Sequence, residues 1–301
     1  MRENKNLIVI LVLGLIGLIA VWFSSIKKLI SKKKVQKIVN QEGEDYPKEI
    51  NESRRQYLEY INSQKSVFAN ELSSIPVVDI ELTDYSAPIN PPKVEIKFST
   101  ITKRTSVPKL FPFVVVDVET TGLDSKEDEI IEISAIKYEE DFTPVSCFTT
   151  LLQSHKSISV EARAVNHIDD SMVAGKPYFA EVAGSFSHYI ANCNVVGHNL
   201  LFDLKFLHSS GTVLPSDKRF FDTLDIAKHT LTSPRSTIWD DYLQEKVPVE
   251  DYDVEDYKLE TLCDYYKIYR DNAHRSLSDC LATAKLFENL VIARQGESIE
   301  N

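Results

Sequence analysis

Two acidic residues stand close together at the end of an apolar run in the middle of the chain. The sequence reads FVVVDVETTGL from Phe113 to Leu123, and Asp117 and Glu119 are two positions apart. The apolar run predicts a strand buried on both faces, and side chains two positions apart leave a strand on the same face. Two carboxylates side by side are costly unless a cation neutralises them. Carboxylate oxygens suit Mg²⁺ or Mn²⁺, and two such ions can stabilise the attacking and leaving oxygens of a phosphoryl transfer.

Two later segments supply further candidates for the same chemistry. In VVGHNLLFDLKFL a short apolar strand leads into a helix that carries Asp203 among apolar side chains, where a carboxylate needs a partner. In NAHRSLSDCLATAKLF apolar residues recur at helical spacing, and Asp279 lies on another face of that helix. His274 precedes Asp279 by five positions, about 140° around an ideal helix, so the two cannot share a helical face. We therefore expect His274 in the loop or first turn that enters the helix.

The three segments taken in order resemble a known group of nucleases. The order D-x-E-T-T-G, H-N-x-x-x-D and H-x-x-x-x-D is similar to that of the DEDDh exonucleases, the DnaQ-like group that contains the proofreading ε subunit of bacterial DNA polymerase III. The resemblance covers residues 110–295 and implies an α/β, ribonuclease H-like fold, a mixed five-stranded sheet flanked by helices. It also implies a 3′→5′ exonuclease that releases nucleoside 5′-monophosphates from the 3′ end of a nucleic acid.

The resemblance also assigns roles to individual residues. The catalytic set that it implies is Asp117, Glu119, Asp203, Asp279 and His274. The four acids would ligate two Mg²⁺ or Mn²⁺ ions, and His274 would be the general base that takes a proton from the attacking water. An unperturbed histidine pKa of about 6.5 suits that role near neutral pH. The implied substrate contacts are Thr120, Thr121, Leu123, Asn199 and Phe202.

Other interpretations of these residues stay open. The domain could be a catalytically inactive exonuclease fold that is tethered to the membrane and recruits a partner. It could also be an RNA-trimming enzyme, since no sequence feature separates DNA from RNA as the substrate. We interpret His198 as a structural hydrogen-bonding residue, because the resemblance places the base in the third segment. Asp222 is interpreted as a helix N-cap or turn residue.

The charge of the chain is unevenly distributed. The net charge is −11, yet residues 1–40 contain eight basic residues and one acidic residue, so the remainder is strongly acidic. An acidic body argues against a broad nucleic-acid-binding face, because such faces are basic. We therefore expect poor binding of long duplexes and a preference for short or single-stranded ends. The four cysteines are widely spaced, which predicts small buried residues in a reducing compartment.

The amino-terminal region predicts a membrane anchor. Residues 7–26 are free of charge, and the run approaches the roughly 20 residues that a transmembrane helix needs. A lysine-rich segment, 27–47, follows the run, and no small-x-small cleavage site is present. Since basic residues favour the cytoplasmic side, we expect residues 1–6 to form a short extracytoplasmic tail and the exonuclease-like domain at 110–295 to lie in the cytoplasm, at the inner membrane.

Two regions outside the three motifs are candidate partner surfaces. In the connecting region 48–109, the pattern predicts an amphipathic helix at 48–73 and short half-buried strands at 78–82 and 94–98. Residues 231–257 are acidic, carry several aromatic residues and look longer than the matching part of the family. They predict either a lid over the cleft or a docking surface. Residues 296–301 form a tail.

Overall fold

A computed structural model describes residues 48–83, 95–240, 244–249, 251–270 and 274–296. Two compact units divide the chain, residues 1–63 with 299–301 and residues 64–298. Outside the described residues lie the predicted segments 1–6, 7–26 and 27–47 and nearly all of the tail at 296–301. Within the described ranges, no helix has both the length and the apolar content that a bilayer crossing requires. The membrane anchor therefore stays a prediction.

A five-stranded mixed sheet forms the centre of the second unit, in the order β3-β2-β1-β4-β5. Its strands are β1 (Phe113–Thr120), β2 (Ile130–Tyr138), β3 (Ser146–Leu151), β4 (Asn194–Gly197) and β5 (Phe220–Asp222). The first three strands pair antiparallel, whereas β4 and β5 run parallel to β1. The predicted mixed five-stranded sheet is confirmed, and β1 is its central strand.

Helices cover both faces of the sheet. In chain order they are α1 (Lys48–Ser74), α2 (Val160–Asn166), α3 (Asp170–Val173), α4 (Phe179–Ile190), α5 (Leu201–Ser209), α6 (Thr223–Lys228), α7 (Leu259–Tyr265) and α8 (Ser276–Gln295). The predicted helix at 48–73 is confirmed by α1. Within the second unit, Phe68 of α1 is buried and meets the ring of Tyr269 edge-on at 5.8 Å.

The side chains of β1 alternate between two hydrophobic cores, as a period of two residues requires. Phe113 and Val115 belong to the core that contains Leu281 and Phe287 of α8. Val114, Val116 and Val118 belong to the core that is built with α4 and α5. The four cysteines are free and buried. Asp117 and Glu119 continue the face of β1 that packs on α8, which places the acidic pair opposite that helix.

The two predicted short strands do not form, and this is a correction. The segment at 77–83 makes one isolated bridge, between Val77 and Cys147 of β3, before its backbone leaves the sheet. Its later bonds go to α4 instead, where the Thr83 amide donates to the Glu181 carbonyl at 3.0 Å. The described part of the second segment makes one bridge, between Phe98 and Phe220 of β5. Both segments therefore cover sheet edges rather than extend the sheet.

The acidic region at 231–257 contains a small hairpin. Strands β6 (Thr237–Asp240) and β7 (Glu245–Pro248) pair antiparallel in a separate two-stranded sheet. Ile238 and Trp239 are 55% and 56% exposed. The end of the region returns to the domain, where the Tyr257 hydroxyl donates to the Leu231 carbonyl at 2.8 Å. The predicted insertion is thus an exposed hairpin with an anchored base.

Candidate active site

Three of the four predicted metal ligands meet at one place. Carboxylate oxygens of Asp117, Glu119 and Asp279 lie within 4.8 Å of one another. Asp279 sits in the first turn of α8 and is buried. The start of this helix is held against β2, where the hydroxyls of Ser134 and Ser276 are 2.7 Å apart. We call these three residues the carboxylate cluster.

The fourth predicted ligand, Asp203, supports the end of β1 from helix α5. Asp203 lies on α5 and is 3% exposed. Its Oδ1 accepts a hydrogen bond from the amide of Val118 at 3.0 Å. Because Val118 stands between Asp117 and Glu119, this bond fixes the backbone that carries the acidic pair. The partner that we expected for this buried carboxylate is therefore a backbone amide.

The acidic side chains of this site repel one another, and the pKa values of three of them are raised. Burial, followed by the charges of Asp203 and Asp279, raises the pKa of Asp117 well above its ordinary value. Burial and the neighbouring acids raise the pKa of Glu119 to about 9. Burial is also the main cause that raises the pKa of Asp203 to about 8, against the effect of its backbone hydrogen bonds. The acids repel one another, and a nearby cation would relieve this repulsion.

The predicted base, His274, lies in the loop before α8, as expected. It adopts a left-handed backbone conformation with φ of 65°, and the helix begins two residues later. Its backbone amide donates to Oδ2 of Asp279 at 3.2 Å. Burial, followed by the charge of Arg270, lowers the pKa of His274. The imidazole is therefore held in the neutral form that a general base requires.

Two ion pairs flank His274, one fully buried and one with an exposed arginine, and neither was predicted. Arg270 binds both carboxylate oxygens of Asp279, with nitrogen–oxygen distances of 2.6 Å each. Arg275 binds Glu132 of β2, and the closest contact is 2.6 Å. Glu132 also accepts the Ser276 amide at 2.9 Å, which ties the first residue of α8 to the sheet. One signal was available, because a glutamate inside the apolar strand IIEISAIKY requires a partner.

The turn after β1 carries three of the predicted substrate contacts. The hydroxyls of Thr120 and Thr121 bond within the turn, to the Gly122 carbonyl at 2.5 Å and to Asp128 at 3.3 Å. A Cβ atom on Gly122 would collide with the Asp128 carboxylate, which would have to leave its hydrogen bonds with Thr121 and the Asp124 amide. Leu123 is 86% exposed. Leu123 is therefore the side chain of this turn that is most available to a ligand.

The other two predicted contacts lie where β4 meets α5. Asn199 has φ of 59°, and its amide donates to Asp222 at 2.9 Å. Phe202 packs on Phe206 with ring centroids 4.9 Å apart. The five substrate contacts stay predictions.

The interpretations of His198 and Asp222 agree with their hydrogen bonds. Asp222 is the N-cap of α6, where it accepts the Leu224 amide at 3.0 Å. His198 Nδ1 lies 2.9 Å from the Thr223 hydroxyl, and burial lowers the pKa of His198 to about 4. Both side chains are therefore occupied in holding the β4–α5 and β5–α6 junctions.

The chemistry of the donor set fits a divalent metal. The three residues of the carboxylate cluster offer oxygen atoms only, which are the ligands that Mg²⁺ and Mn²⁺ prefer. The raised pKa values of Asp117 and Glu119 reflect buried negative charge that a bound cation would neutralise. The carboxylate cluster thus offers suitable ligands for a divalent metal at the predicted place, and the two-metal centre and the identity of the metal stay predictions.

Comparison with known proteins agrees with this geometry. A family model described as an exonuclease, RNase T, matches residues 114–287, which is more than half of the chain. The chain belongs to the RNase T exonuclease family. The match contains the carboxylate cluster, Asp203 and His274. The predicted DnaQ-like group and the predicted enzyme class, a 3′→5′ exonuclease, are confirmed at the level of this family.

The relatives of this RNase T family domain include DNA polymerase III proteins. The domain is 32% identical over 177 residues to the PolC-type DNA polymerase III of Caldanaerobacter subterraneus, covering 58% of this chain and 11% of that protein. It is 28% identical over 179 residues to the DNA polymerase III ε subunit of Treponema pallidum, covering 60% of this chain and 76% of that protein. The chain is also similar to the crystal structure of E. coli exonuclease I in complex with a dT13 oligonucleotide. That match covers 61% of this chain and 41% of the other chain, with a TM-score of 0.48 and 20% sequence identity.

Proposed function

We propose that this protein is a metal-dependent 3′→5′ exonuclease that hydrolyses nucleic acid from the 3′ end and releases nucleoside 5′-monophosphates. The observation that carries the proposal is the meeting of Asp117, Glu119 and Asp279 within 4.8 Å. These residues come from a strand and a helix that are about 160 positions apart in the sequence, so only the fold brings them together.

Asp117, Glu119, Asp203 and Asp279 are the residues that would hold two Mg²⁺ or Mn²⁺ ions. When bound, such ions stabilise the charge that develops on the attacking and leaving oxygens of the phosphodiester. The protein's own part is to fix the ligands. Asp203 does so through the amide of Val118, and the start of α8 does so through its contacts with β2.

His274 would remove the proton from the attacking water. Its position in the loop before α8 places it next to Asp279, to which its backbone amide donates. Its lowered pKa keeps the imidazole neutral and able to accept a proton at neutral pH. The pair of Arg275 with Glu132 holds the residue that follows His274 against β2, which restrains the loop.

The acidic charge of the chain favours short or single-stranded substrates. The chain beyond residue 40 is strongly acidic, so phosphate contacts along a long duplex would be unfavourable. Short or single-stranded 3′ ends need few such contacts, and exposed apolar side chains such as Leu123 can pack against a terminal base. Both DNA and RNA remain candidate substrates.

The proposal also covers where the protein is located and which of its surfaces would bind a partner. A single-pass anchor at 7–26 would hold the domain on the cytoplasmic face of the inner membrane. The amphipathic helix at 48–73 and the region 231–257 are the candidate surfaces for a protein partner. Exposure of Ile238 and Trp239 on the hairpin supports the second surface.

Digestion of 3′-labelled oligonucleotides by the full chain in detergent tests the proposal. We expect stepwise shortening from the 3′ end with Mn²⁺ or Mg²⁺, and no product with a chelator. Asp217→Asn is the matched control, because Asp217 is an exposed aspartate that pairs with Lys218 at the surface. An Asp117→Asn variant that digests as fast as this control would refute the proposal, and an inactive wild type would favour the alternative of a catalytically inactive exonuclease fold that recruits a partner.

A further inference from the structure

The ion pair of Arg270 with Asp279 occupies the oxygen atoms that a metal would use. Arg270 Nε lies 2.6 Å from Oδ1, and Arg270 Nη2 lies 2.6 Å from Oδ2. Both side chains are buried, at 9% and 7% exposure. This is a two-pronged contact, in which the planar guanidinium matches the carboxylate edge to edge.

The free acceptor capacity of Asp279 is small in this arrangement. A carboxylate offers about four lone-pair positions on its two oxygens. Oδ2 accepts from Arg270 and also from the His274 amide at 3.2 Å, while Oδ1 accepts from Arg270. Three positions are thus filled by donors. A metal that uses Asp279 therefore competes directly with the guanidinium, and it also meets the repulsion of its positive charge.

The position of Arg270 allows it to move without unfolding an element. Arg270 lies between the end of α7 at Tyr265 and the start of α8, outside both helices. The preceding residue, Tyr269, is fixed by the ring of Phe68. The side chain can therefore leave Asp279 by rotation of its own bonds while Tyr269 stays packed on Phe68.

The second arginine of this region, Arg275, forms an ion pair in different surroundings. Arg275 binds Glu132, which is not among the predicted ligands, and Glu132 also accepts the Ser276 amide. That pair ties α8 to β2, and a bound metal would not compete with Arg275 for Glu132. The pair of Arg270 with Asp279 instead joins a cation to a member of the carboxylate cluster. The two pairs have the same chemistry and different surroundings.

We propose that Arg270 is a positioning residue that acts as a stand-in cation, holding Asp279 in the metal-free protein and leaving it when a divalent metal binds. The ion pair then raises the metal concentration at which the site is filled. The inference rests on the proposed function, because it takes Asp279 to be a metal ligand. It predicts opposite effects of one substitution on metal affinity and on metal-free stability.

The test compares Arg270→Gln with wild type in the full chain, with Mn²⁺ binding measured by calorimetry. We expect the dissociation constant for Mn²⁺ to fall by about ten- to a hundred-fold, the range that a hydrogen-bonded charge commonly represents. The melting temperature in chelator should fall, whereas the melting temperature at saturating Mn²⁺ should match that of wild type. Arg163→Gln is the matched control, since Arg163 pairs with Asp170 at 3.0 Å in an exposed position.

Each outcome separates this inference from the proposed function. Unchanged or weaker Mn²⁺ binding by Arg270→Gln would overturn the stand-in role, and weaker binding would mean that Arg270 orients Asp279 in the loaded site. Failure of wild type to bind Mn²⁺ at all would instead refute the metal centre. If Arg270→Gln does not fold, Arg270→Lys decides, because lysine keeps the charge and loses the two-pronged contact. Its affinity for Mn²⁺ should exceed that of wild type, and equal or lower affinity would count against the proposal.

Discussion

The carboxylate cluster and the β6–β7 hairpin are built in opposite ways. The cluster joins residues from a central strand and a distant helix, on the face of β1 that shares a core with α8. The hairpin joins neighbouring residues to one another and leaves Ile238 and Trp239 more than half exposed. The first therefore depends on the packing of the whole domain, whereas the second can change without disturbing that packing.

The difference predicts where substitutions will act. Changes in the cluster should remove catalysis and leave the fold intact, since the acids repel one another in the metal-free protein. Changes in the hairpin should leave catalysis intact and alter what the enzyme binds. A cluster variant that loses its fold, or a hairpin variant that loses catalysis, would show that the two regions are coupled.

The largest effect is expected for Asp117→Asn, which keeps the shape of the side chain and removes a metal ligand. Activity with Mn²⁺ should fall by at least about 10³-fold, because metal ions supply most of the charge stabilisation in this chemistry. The melting temperature in chelator should stay the same or rise, because burial and neighbouring acids destabilise the Asp117 carboxylate. Initial rates on a labelled oligonucleotide and thermal melts provide both measurements.

The next largest effect is expected for His274→Ala, at about 10²- to 10⁴-fold in rate, the usual contribution of a general base. The pH dependence gives a sharper test. Because the pKa of His274 is lowered, the wild-type rate should rise below pH 6.5 and reach its plateau before neutrality. His274→Ala should lose this rise. An identical pH profile in both proteins would assign the base to another group.

The sequence predicted the members of the cluster because their types and order are distinctive. Asp117 and Glu119 at a strand end, with Asp279 on a helix, required only the two-residue period of a strand and the helical period. Arg270 was not predicted, since periodicity does not say which distant cation will face a carboxylate. The pair of Arg275 with Glu132 was not predicted either; a glutamate within an apolar strand signals the need for a partner, and only the fold shows that the partner is Arg275.

The fold was predicted well at its centre and less well at its edges. The buried run that starts at Phe113 predicted the central strand, and the helical pattern predicted α1 and α8. The alternating segments at 78–82 and 94–98 were wrongly predicted as strands. An alternating pattern reports one buried face and does not report whether a neighbouring backbone is free for pairing. Here the first segment leaves β3 after Val77 and bonds to α4.

The third prediction concerns the stability of the metal-free domain. Glu119 and Asp203 have pKa values raised to about 9 and about 8 in the folded state, against about 4 in an unfolded chain. The folded protein thus keeps protons that the unfolded chain has lost, so stability is greatest below about pH 4 for these groups and declines as pH rises to about 9. Thermal melts in chelator across this range should show the decline.

The matched variant for this prediction is Asp203→Asn. It removes one of the raised groups, so the decline of stability with pH should be shallower than in wild type. Saturating Mn²⁺ should also reduce the decline, because bound metal stabilises the deprotonated carboxylates. A hairpin variant should show the wild-type slope. Equal slopes in wild type and Asp203→Asn would mean that Asp203 is already ionised in the folded protein.

The smallest effects are expected in the hairpin. The double variant Ile238→Ser with Trp239→Ser removes two exposed apolar side chains, so the free energy of unfolding should change by no more than about 0.5 kcal/mol per site. The rate on a very short oligonucleotide should stay at the wild-type value, because the carboxylate cluster is unchanged. If the hairpin is a lid, the preference between short and long strands will change. If it is a docking surface, digestion will be unchanged and association with a partner protein will be lost.

If the hairpin double variant lost as much rate on the short oligonucleotide as Asp117→Asn, the hairpin and the carboxylate cluster would not be independent. Such a loss would mean that the hairpin reaches the metal centre during turnover, since a change confined to an exposed side chain has no other route to the chemistry. Metal affinity separates the cases further. A hairpin that serves only substrate choice or docking leaves the Mn²⁺ dissociation constant at the wild-type value, whereas one that closes over the carboxylate cluster raises that constant when it is damaged.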